Sequence, residues 1–425
     1  MKVLLPGHFM KIKEGKVEIK CWWKLQVNPS SSIPDVKEVQ KNVRKLLRDA
    51  VERRLIADVP FGAFLSGGID SSIVVGLMSE VAASPVNTFS ITFDDSEFSE
   101  AVYAKQIAEK FKTIHHEIKL KPEDFLRDLP EALDAMDHPS GDGPNTYVVS
   151  KATKKAGVTM ALSGLGGDEL FCGYDIFKRA VELENKKWLN VIPRVIREII
   201  GNRMKKNSGV AGEKKAAILG LKKINFASFY PVSRQVLLEE QVRKISAIKS
   251  SDANAVYAIT SDIAKSYPYK DHLLSRVSLA EMSTYMQNVL LRDTDQMSMA
   301  HALEVRVPFL DYTLVEYVMN LPDSIKFPHT PKKLLVDACK DLLPDEIVNR
   351  PKMGFTFPWK NWMKQELRSF CETRLEKLGK REQFNADGLN SLWKSFLNDD
   401  PKVTWSRIWP LVVLSHWLEK NDIES

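Results

Sequence analysis

Two short stretches of this sequence combine glycines, hydroxyl groups and acids, which are residue types suited to binding a phosphorylated ligand. The first, FLSGGIDSS, covers residues 64–72, and the second, LSGLGGDE, covers residues 162–169. Glycine lets backbone N–H groups approach a ligand closely, and serine adds hydroxyl donors. Because these residues bury little apolar surface, folding alone gives no reason for them to cluster. The first stretch therefore predicts a phosphate site.

The first stretch differs from the two common nucleotide-binding motifs. It lacks the lysine of the GxxxxGK[ST] loop, and its glycines do not fit GxGxxG. Asp70 would repel a phosphate unless a cation lay between them. We therefore expect Mg²⁺, since this ion binds carboxylates and phosphates together. In the second stretch, Asp168 and Glu169 are the candidates for a second carboxylate.

The elements around these stretches predict an α/β fold class, with a parallel sheet and helices on both faces. Alternating apolar residues predict strands at 61–65, 86–93, 113–120 and 158–163, and helical spacing predicts helices at 35–57, 70–82, 99–111 and 146–156. Strand–helix alternation of this kind is typical of parallel sheets. Both stretches follow strands, at the sheet edge where such folds bind ligands.

The chain divides into three predicted parts. Residues 1–25 contain rough alternation around Gly15 and predict a short β-hairpin. Residues 35–180 contain the α/β core. In residues 181–425 the apolar spacing is nearly all helical, which predicts a mainly helical part.

Composition sets limits on the class of protein. The 425 residues are 44% apolar and 27% charged, as in ordinary globular proteins. The four cysteines form no CxxC pair, which argues against zinc or iron–sulfur sites and fits a reducing compartment. The sequence shows no signal peptide and no apolar run long enough to span a bilayer, so we expect a cytoplasmic protein without a membrane partner.

The net charge of +6 is unevenly distributed. Residues 178–223 contain thirteen lysines and arginines against four glutamates. Such a stretch can bind nucleic acid, but a solvated helical face is the commoner explanation. We therefore interpret this segment as a solvated basic face.

The pattern SGGxDS at residues 66–71 resembles the pyrophosphate loop (PP-loop) of ATP pyrophosphatases, which split ATP between its α and β phosphates. Three further blocks follow in order, at 160–177, 290–322 and 350–363. Together the four blocks resemble the synthetase domain of the asparagine synthetase family, over nearly the whole chain from residue 35. The resemblance implies an adenine nucleotide alpha-hydrolase-like fold. It also implies adenylation of a side-chain carboxylate, release of pyrophosphate and attack by ammonia.

The resemblance also implies roles for individual residues. It places pyrophosphate on Ser66, Gly67, Gly68, Ser71 and Ser72. Mg²⁺ would bind Asp70 and Asp168. The nucleotide would also contact Leu65, Ile91, Phe93 and Gly164. Lys352 matches the family lysine that neutralises charge developing between the α and β phosphates. Glu304, Arg306 and Asp311 fit either the interface between the two larger parts or the site itself.

Two features depart from the family pattern. Asparagine-forming members commonly carry an acid between the first two glycines of the second stretch, where this chain has Leu165. Leucine cannot take up a proton, so that role, where needed, would fall to Glu169 or Asp142. The other departure is the N-terminus, where Lys2 stands instead of the nucleophilic cysteine of the family's glutaminase domain. We therefore expect residues 1–25 to be a remnant of that domain, with ammonia supplied free or by a separate glutaminase subunit.

The sequence favours an AMP-forming amide ligase that uses ATP and Mg²⁺ on a small carboxylic acid, with aspartate as the first candidate. Three alternatives stay open: a ligase for another acid or amine, a PP-loop enzyme that modifies tRNA, and a non-catalytic ATP-binding subunit of a glutaminase complex. The missing CxxC argues against tRNA modification. Retention of Asp70, Asp168 and Lys352 argues against a non-catalytic subunit. The oligomeric state, including a homo-oligomer, is left open.

Overall fold

The computed structural model describes residues 3–26, 34–92, 101–207, 209–246, 254–267, 272–327, 330–350 and 357–423. The strands in these ranges are β1 His8–Lys13, β2 Lys16–Cys21, β3 Phe61–Phe64, β4 Asn87–Thr92, β5 Ile114–Lys119, β6 Met160–Leu162 and β7 Glu304–Arg306. The four strands predicted for the core correspond to β3, β4, β5 and β6.

Helices make up most of the remaining described structure. They are α1 Val36–Arg54, α2 Ile69–Val81, α3 Ala101–Lys110, α4 Pro122–Asp134, α5 Gly143–Lys155, α6 Gly167–Leu170, α7 Asp175–Asn185, α8 Arg194–Asn207, α9 Gly209–Leu219, α10 Phe226–Arg234, α11 Glu239–Ile245, α12 Ala255–Ser266, α13 Leu273–Glu281, α14 Leu291–Met299, α15 Tyr312–Met319, α16 Asp323–Lys326, α17 Lys333–Ala338, α18 Asp345–Asn349, α19 Trp359–Lys364, α20 Arg368–Gly379, α21 Ala386–Leu397 and α22 Trp405–Lys420. Short 3₁₀ helices lie at Lys187–Val191, Pro308–Leu310 and Lys340–Leu342, and a π-helix lies at Met282–Leu290.

The central sheet has five parallel strands in the order β5-β4-β3-β6-β7. From β3 the chain builds outwards through β4 to β5, and it then returns to place β6 on the other side of β3. The strand order therefore reverses between β3 and β6, which leaves a crevice at their carboxyl ends. The fold-class prediction is confirmed.

Both faces of this sheet are buried, as expected where successive side chains of a strand point to opposite faces. Ala63 and Leu65 lie in a large apolar cluster with residues of α1, α2 and α3. Phe64 lies between them in sequence and packs into a second cluster with Ala161 and Leu303. Sheets covered on both sides hold their strand ends rigidly, and the two glycine-rich loops begin at such ends.

The fifth strand, β7, comes from the part of the chain predicted to be mainly helical. Arg306 donates to the carbonyl oxygens of Arg54 and Ile56 at 2.8 and 2.9 Å, which ties β7 to the end of α1. Nearby, Asp311 accepts hydrogen bonds from Arg53 and Arg54 at 2.8 and 2.9 Å. Burial opposes ionisation of Asp311, but Thr313 and the two arginines hold its pKa below the usual range. These residues connect the two larger parts of the chain.

The N-terminal segment forms the predicted hairpin. Strands β1 and β2 pair antiparallel, and Glu14 and Gly15 form the turn with φ values of 50° and 75°. Its origin as a remnant of a glutaminase domain stays a prediction. In the described ranges, no helix has both the length and the apolar character needed to cross a membrane.

Candidate functional site

The first glycine-rich loop joins β3 to α2 at the centre of the sheet. Gly67 has a φ of +68°, and a Cβ there would lie 2.6 Å from the Cβ of Tyr103. Glycine is therefore required, both by the left-handed backbone and by the close approach of α3. Gly68 is the N-cap of α2, so the loop ends at the positive end of a helix.

Hydroxyl groups organise this loop from within. The backbone N–H of Ser66 donates to Ser71 Oγ at 3.3 Å, and the Oγ atoms of the two serines are 3.1 Å apart. The N–H of Gly68 donates to Ser66 Oγ at 3.3 Å. Neutral donors at a helix N-terminus form a favourable environment for an anion.

The second loop joins β6 to α6, beside the first. The N–H of Ser163 donates to the carbonyl oxygen of Arg306 at 2.9 Å, which anchors the start of the loop to β7. The N–H of Leu165 donates to Ser163 Oγ at 3.3 Å. Asp168 and Glu169 follow in the first turn of α6.

One buried lysine connects the two loops. Lys332 Nζ lies 2.5 Å from Asp70 Oδ2 and 2.7 Å from Asp168 Oδ1. Burial disfavours the ammonium form, but the two carboxylates outweigh this effect and raise the pKa of Lys332. The two acids therefore share one cation. Sequence analysis missed Lys332, which lies in a polar stretch between helices, far along the chain from both loops.

The contact between Lys332 and Asp168 is possible because Gly173, which has no side chain, packs against both. A Cβ at that position would overlap both the Asp168 carboxylate and the Lys332 side chain. Its N–H also donates to the carbonyl oxygen of Asp168 at 2.8 Å. The turn after α6 thus holds Asp168 against Lys332.

The predicted magnesium ligands fit a metal that is shared with a nucleotide. Asp70 and Asp168 both reach a single atom, which is the spacing that two ligands of one cation need. Within the described ranges, no group of three or more His, Cys, Asp or Glu side chains could hold a metal ion. Mg²⁺ often takes only one or two protein carboxylates and completes its shell with water and substrate phosphates. The donors therefore suit Mg²⁺ bound together with phosphates.

Glu169 is buried and hydrogen-bonded to a tyrosine. Only 1% of the residue is exposed, and the Tyr174 hydroxyl donates to Glu169 Oε1 at 2.7 Å. Burial, with a smaller contribution from the Asp168 charge, raises the pKa of Glu169 to about 7, although the Tyr174 hydrogen bond opposes the shift. Glu169 can therefore exchange a proton near neutral pH.

A cluster behind Tyr174 fixes its ring. The Arg234 guanidinium lies over the rings of Tyr174 and Tyr285, at 5.2 and 4.8 Å from their centroids. Arg234 Nε donates to Glu281 Oε1 at 2.7 Å. Cation–π contacts hold an aromatic ring in a defined orientation. Asp142, the other candidate for the missing acid, lies at the start of α5; burial raises its pKa, and its charge adds to burial in raising the pKa of Tyr285.

A pocket of about 280 Å³ lies between the two loops. It is lined by Phe64, Ser66, Gly68, Asp70, Ser71, Ser163, Gly164, Leu165, Gly166, Asp168, Glu169 and Tyr174. Seven of the predicted site residues therefore lie on one pocket. Leu165 also lines it and places an apolar side chain where the resemblance leads us to expect an acid.

The other predicted site residues are not among those that line this pocket, although Gly67 belongs to the first loop. Leu65 and Ser72 are buried beside the first loop. Ile91 packs against an apolar cluster that joins α4 and α5 to helices of the C-terminal part. Phe93 and Lys352 lie outside the described residues, so their predicted roles stay predictions.

Comparison with known proteins agrees with this geometry. A model of the asparagine synthase family matches residues 42–419. The chain belongs to the asparagine synthase family. It is 30% identical over 439 residues to asparagine synthetase (glutamine-hydrolyzing) 1 of Bacillus subtilis strain 168, an alignment that covers 99% of this chain and 65% of the relative. The resemblance found in the sequence is confirmed.

Relatives within the family have different names. Asparagine synthetase (glutamine-hydrolyzing) 3 of Bacillus subtilis strain 168 is 27% identical over 371 residues, covering 84% of this chain and 54% of the relative. Amidase chyE of Penicillium rubens is also 27% identical, over 409 residues that cover 84% of this chain and 59% of the relative. The chain thus spans less than two thirds of each of these proteins. Family membership supports a synthetase without naming its acid.

Proposed function

We propose that this chain is an ATP-dependent amide ligase that forms AMP, adenylating a carboxylate for attack by ammonia, with aspartate as the first candidate acid. The observation that carries the proposal is that Asp70 and Asp168 both contact the buried ammonium group of Lys332, at the point where the strand order of the sheet reverses. Membership of the asparagine synthase family supports it.

In the first step, an oxygen of the substrate carboxylate attacks the α phosphorus of ATP, and the bond to the bridging oxygen of pyrophosphate breaks. The donors of the Ser66–Ser71 loop and the N-terminus of α2 would hold the departing pyrophosphate. Mg²⁺, held by Asp70 and Asp168, would offset negative charge on the phosphates. Lys332, between those two acids, adds a fixed positive charge beside the same groups, and Lys352 keeps its predicted role here.

In the second step, the nitrogen of ammonia attacks the acyl carbon, AMP leaves, and the nitrogen must lose a proton. Leu165 cannot accept that proton. Glu169 can, because its pKa of about 7 makes it partly ionised at neutral pH. We assign it the role of base, directly or through the hydroxyl of Tyr174, which also lines the pocket.

The proposed reaction needs a source of ammonia. Two of the relatives carry glutamine-hydrolyzing in their names, and both are longer than the region they share with this chain. Free ammonia and a separate glutaminase subunit both satisfy the chemistry. A cytoplasmic location likewise remains our expectation.

The proposal is tested by measuring pyrophosphate and AMP released from ATP, Mg²⁺ and ammonium in the presence of a panel of carboxylic acids that includes L-aspartate. We expect equal amounts of both products with at least one acid and no release without it. ADP and phosphate as products would contradict the proposal. Retention of tRNA at low salt would favour tRNA modification, and ATP binding without release under any condition would favour a non-catalytic subunit.

A further inference from the structure

Helix α8 has the reverse of the usual polarity of a surface helix. Its inner side buries Arg197, which is 2% exposed, together with Gly201. Its outer side presents Val195, Ile196 and Ile199, which are 66%, 48% and 52% exposed. A surface helix normally buries its apolar stripe and exposes its charges. The outer side of α8 therefore suits an apolar surface that lies outside this chain.

Specific contacts fix this orientation. The Arg197 guanidinium donates to the carbonyl oxygens of Ile192, Leu219 and Lys222 at 3.2, 2.9 and 3.3 Å, which ties α8 to the turn after α9. Gly201 faces Ala216 of α9, and a Cβ there would lie 3.1 Å from the Ala216 Cα. Rotating α8 to bury Val195 and its isoleucines would break all of these contacts. The exposed apolar face is thus a defined part of the fold.

Exposed apolar side chains also occur in the 3₁₀ turn that precedes the helix. We call the exposed set of large apolar side chains in this region the α8 surface; it consists of Trp188, Val191, Val195, Ile196, Ile199, Ile200 and Met204. Exposed basic side chains lie in the same part of the chain, at Lys186, Lys187, Arg194, Arg203, Lys222 and Lys223. Residues 178–223 hold thirteen basic against four acidic residues, a charge of +9 that exceeds the +6 of the whole chain.

We propose that the α8 surface binds an anionic lipid bilayer, with α8 lying along the membrane interface. Apolar side chains would enter the boundary between headgroups and acyl chains, while the surrounding lysines and arginines contact anionic headgroups. Trp188 suits the same depth, because tryptophan favours that boundary. The helix has 14 residues, so it would lie on the bilayer without spanning it. This proposal revises our expectation of a solvated basic face without a membrane partner.

The charge and the exposed apolar side chains of this region favour a bilayer over two other binding partners, a second copy of the chain and a nucleic acid. A second copy of the chain would place one +9 segment against another, and like charges across an interface oppose association. A nucleic acid would attract the basic residues through its phosphates. It would leave the exposed valines and isoleucines without an apolar partner.

The test is co-sedimentation of the full chain with phosphatidylcholine vesicles, with and without one quarter phosphatidylglycerol. We expect binding to the anionic vesicles only, weakened by high salt. The variant Val195→Ser/Ile199→Ser should reduce the bound fraction by about tenfold or more. The matched control Ile56→Ser/Val102→Ser changes residues that are 78% and 75% exposed elsewhere, and it should bind like the wild type. The charge variant Arg203→Glu should bind less, without any change in thermal stability.

Several outcomes would overturn this proposal. Absence of sedimentation with anionic vesicles is one, and equal loss of binding in the Ile56/Val102 control is another. A dimer in light scattering that dissociates in the Val195/Ile199 variant would assign the α8 surface to a second copy. RNA that competes fully with vesicles, and that binds the Val195/Ile199 variant normally, would assign the basic residues to nucleic acid. None of these results depends on the ligase activity proposed above.

Discussion

The two glycine-rich loops lie side by side and each supplies one carboxylate to Lys332, but their surroundings differ. The loop after β3 is organised by the hydroxyls of Ser66 and Ser71 at the N-terminus of a 13-residue helix. The loop after β6 leads into Glu169, a buried acid hydrogen-bonded to Tyr174. Apart from Asp70, the first is built from neutral donors, whereas the second also contains Glu169, which titrates near neutral pH.

Because of this difference, we propose separate roles for the two loops. Neutral donors at a helix N-terminus suit phosphates whatever acid is being activated. Glu169, which titrates near neutral pH and lines the pocket with the apolar Leu165, suits the steps that depend on the acid and the amine. Substitutions in the first loop should therefore remove nucleotide binding for every acid, whereas those at Glu169 and Leu165 in the second loop should leave nucleotide binding and alter turnover or acid preference.

The largest effect is expected for Asp70→Ala in the first loop. Loss of this carboxylate removes one of the two ligands proposed for Mg²⁺, so pyrophosphate release should fall by about 10³-fold with every acid tested. Calorimetric titration with Mg²⁺ and ATP should show weakened binding as well. The exposed Asp58→Ala serves as the control and should behave like the wild type. Unchanged nucleotide binding in Asp70→Ala would contradict the role of the first loop.

The second prediction concerns the cation that joins the loops. Lys332→Met leaves Asp70 and Asp168 facing each other without a counter-charge, so stability without Mg²⁺ should fall by about 3 kcal/mol. Added Mg²⁺ should raise the Tm of this variant more than that of the wild type, because the metal replaces the lost charge. Lys333→Met, at the exposed neighbouring lysine, should show neither effect. A Tm of Lys332→Met that is insensitive to Mg²⁺ would rule out Asp70 and Asp168 as metal ligands.

The third prediction isolates the second loop. Glu169→Gln should bind ATP normally but lose about 10²-fold in amide formation, with loss of the rise in rate around pH 7. The variant should also change how stability depends on pH. The folded pKa of about 7 exceeds the ordinary value of 4.5, so the wild type loses stability as pH rises from 4.5 to 7. Glu169→Gln lacks this loss, so its Tm relative to the wild type should increase across that window.

Comparison of Tm and rate at pH 5.5 and 8 is the measurement. Tyr174→Phe is the companion variant, because it removes the donor while leaving the carboxylate in place. A rate profile of Glu169→Gln that matches the wild type would assign proton transfer to another group.

The smallest effect is expected for Leu165→Glu. The new acid would line the pocket beside the substrate, so it should change the preference among acids by about tenfold. Affinity for ATP should stay within a factor of about two, since the first loop is untouched. The measurement is the ratio of kcat/KM for aspartate to that for the best other acid. A variant that loses ATP binding would show that the two loops do not act separately.

The core strands and the first loop could be predicted because their signals are local. Alternation around Ala63 and the glycines before Asp70 can be read within ten residues. Strand β7 could not, because it has only three residues, which is too short a run for alternation to identify a strand. Lys332 could not, because only folding brings it to Asp70, 262 positions away. For α8 the spacing indicates an apolar face. Whether that face points inwards or to solvent depends on the carbonyl groups that Arg197 contacts, which are known only from the structure.

The central claim is that the site transfers AMP to a carboxylate. It is tested most directly with L-aspartate, or the acid that supports release, labelled with ¹⁸O in the carboxylate and supplied with ATP, Mg²⁺ and ammonium. Mass spectrometry of the products follows the label. Adenylation predicts one ¹⁸O in AMP and none in pyrophosphate, with no transfer in Asp70→Ala. Label in inorganic phosphate, or amide formed without label in AMP, would contradict the account.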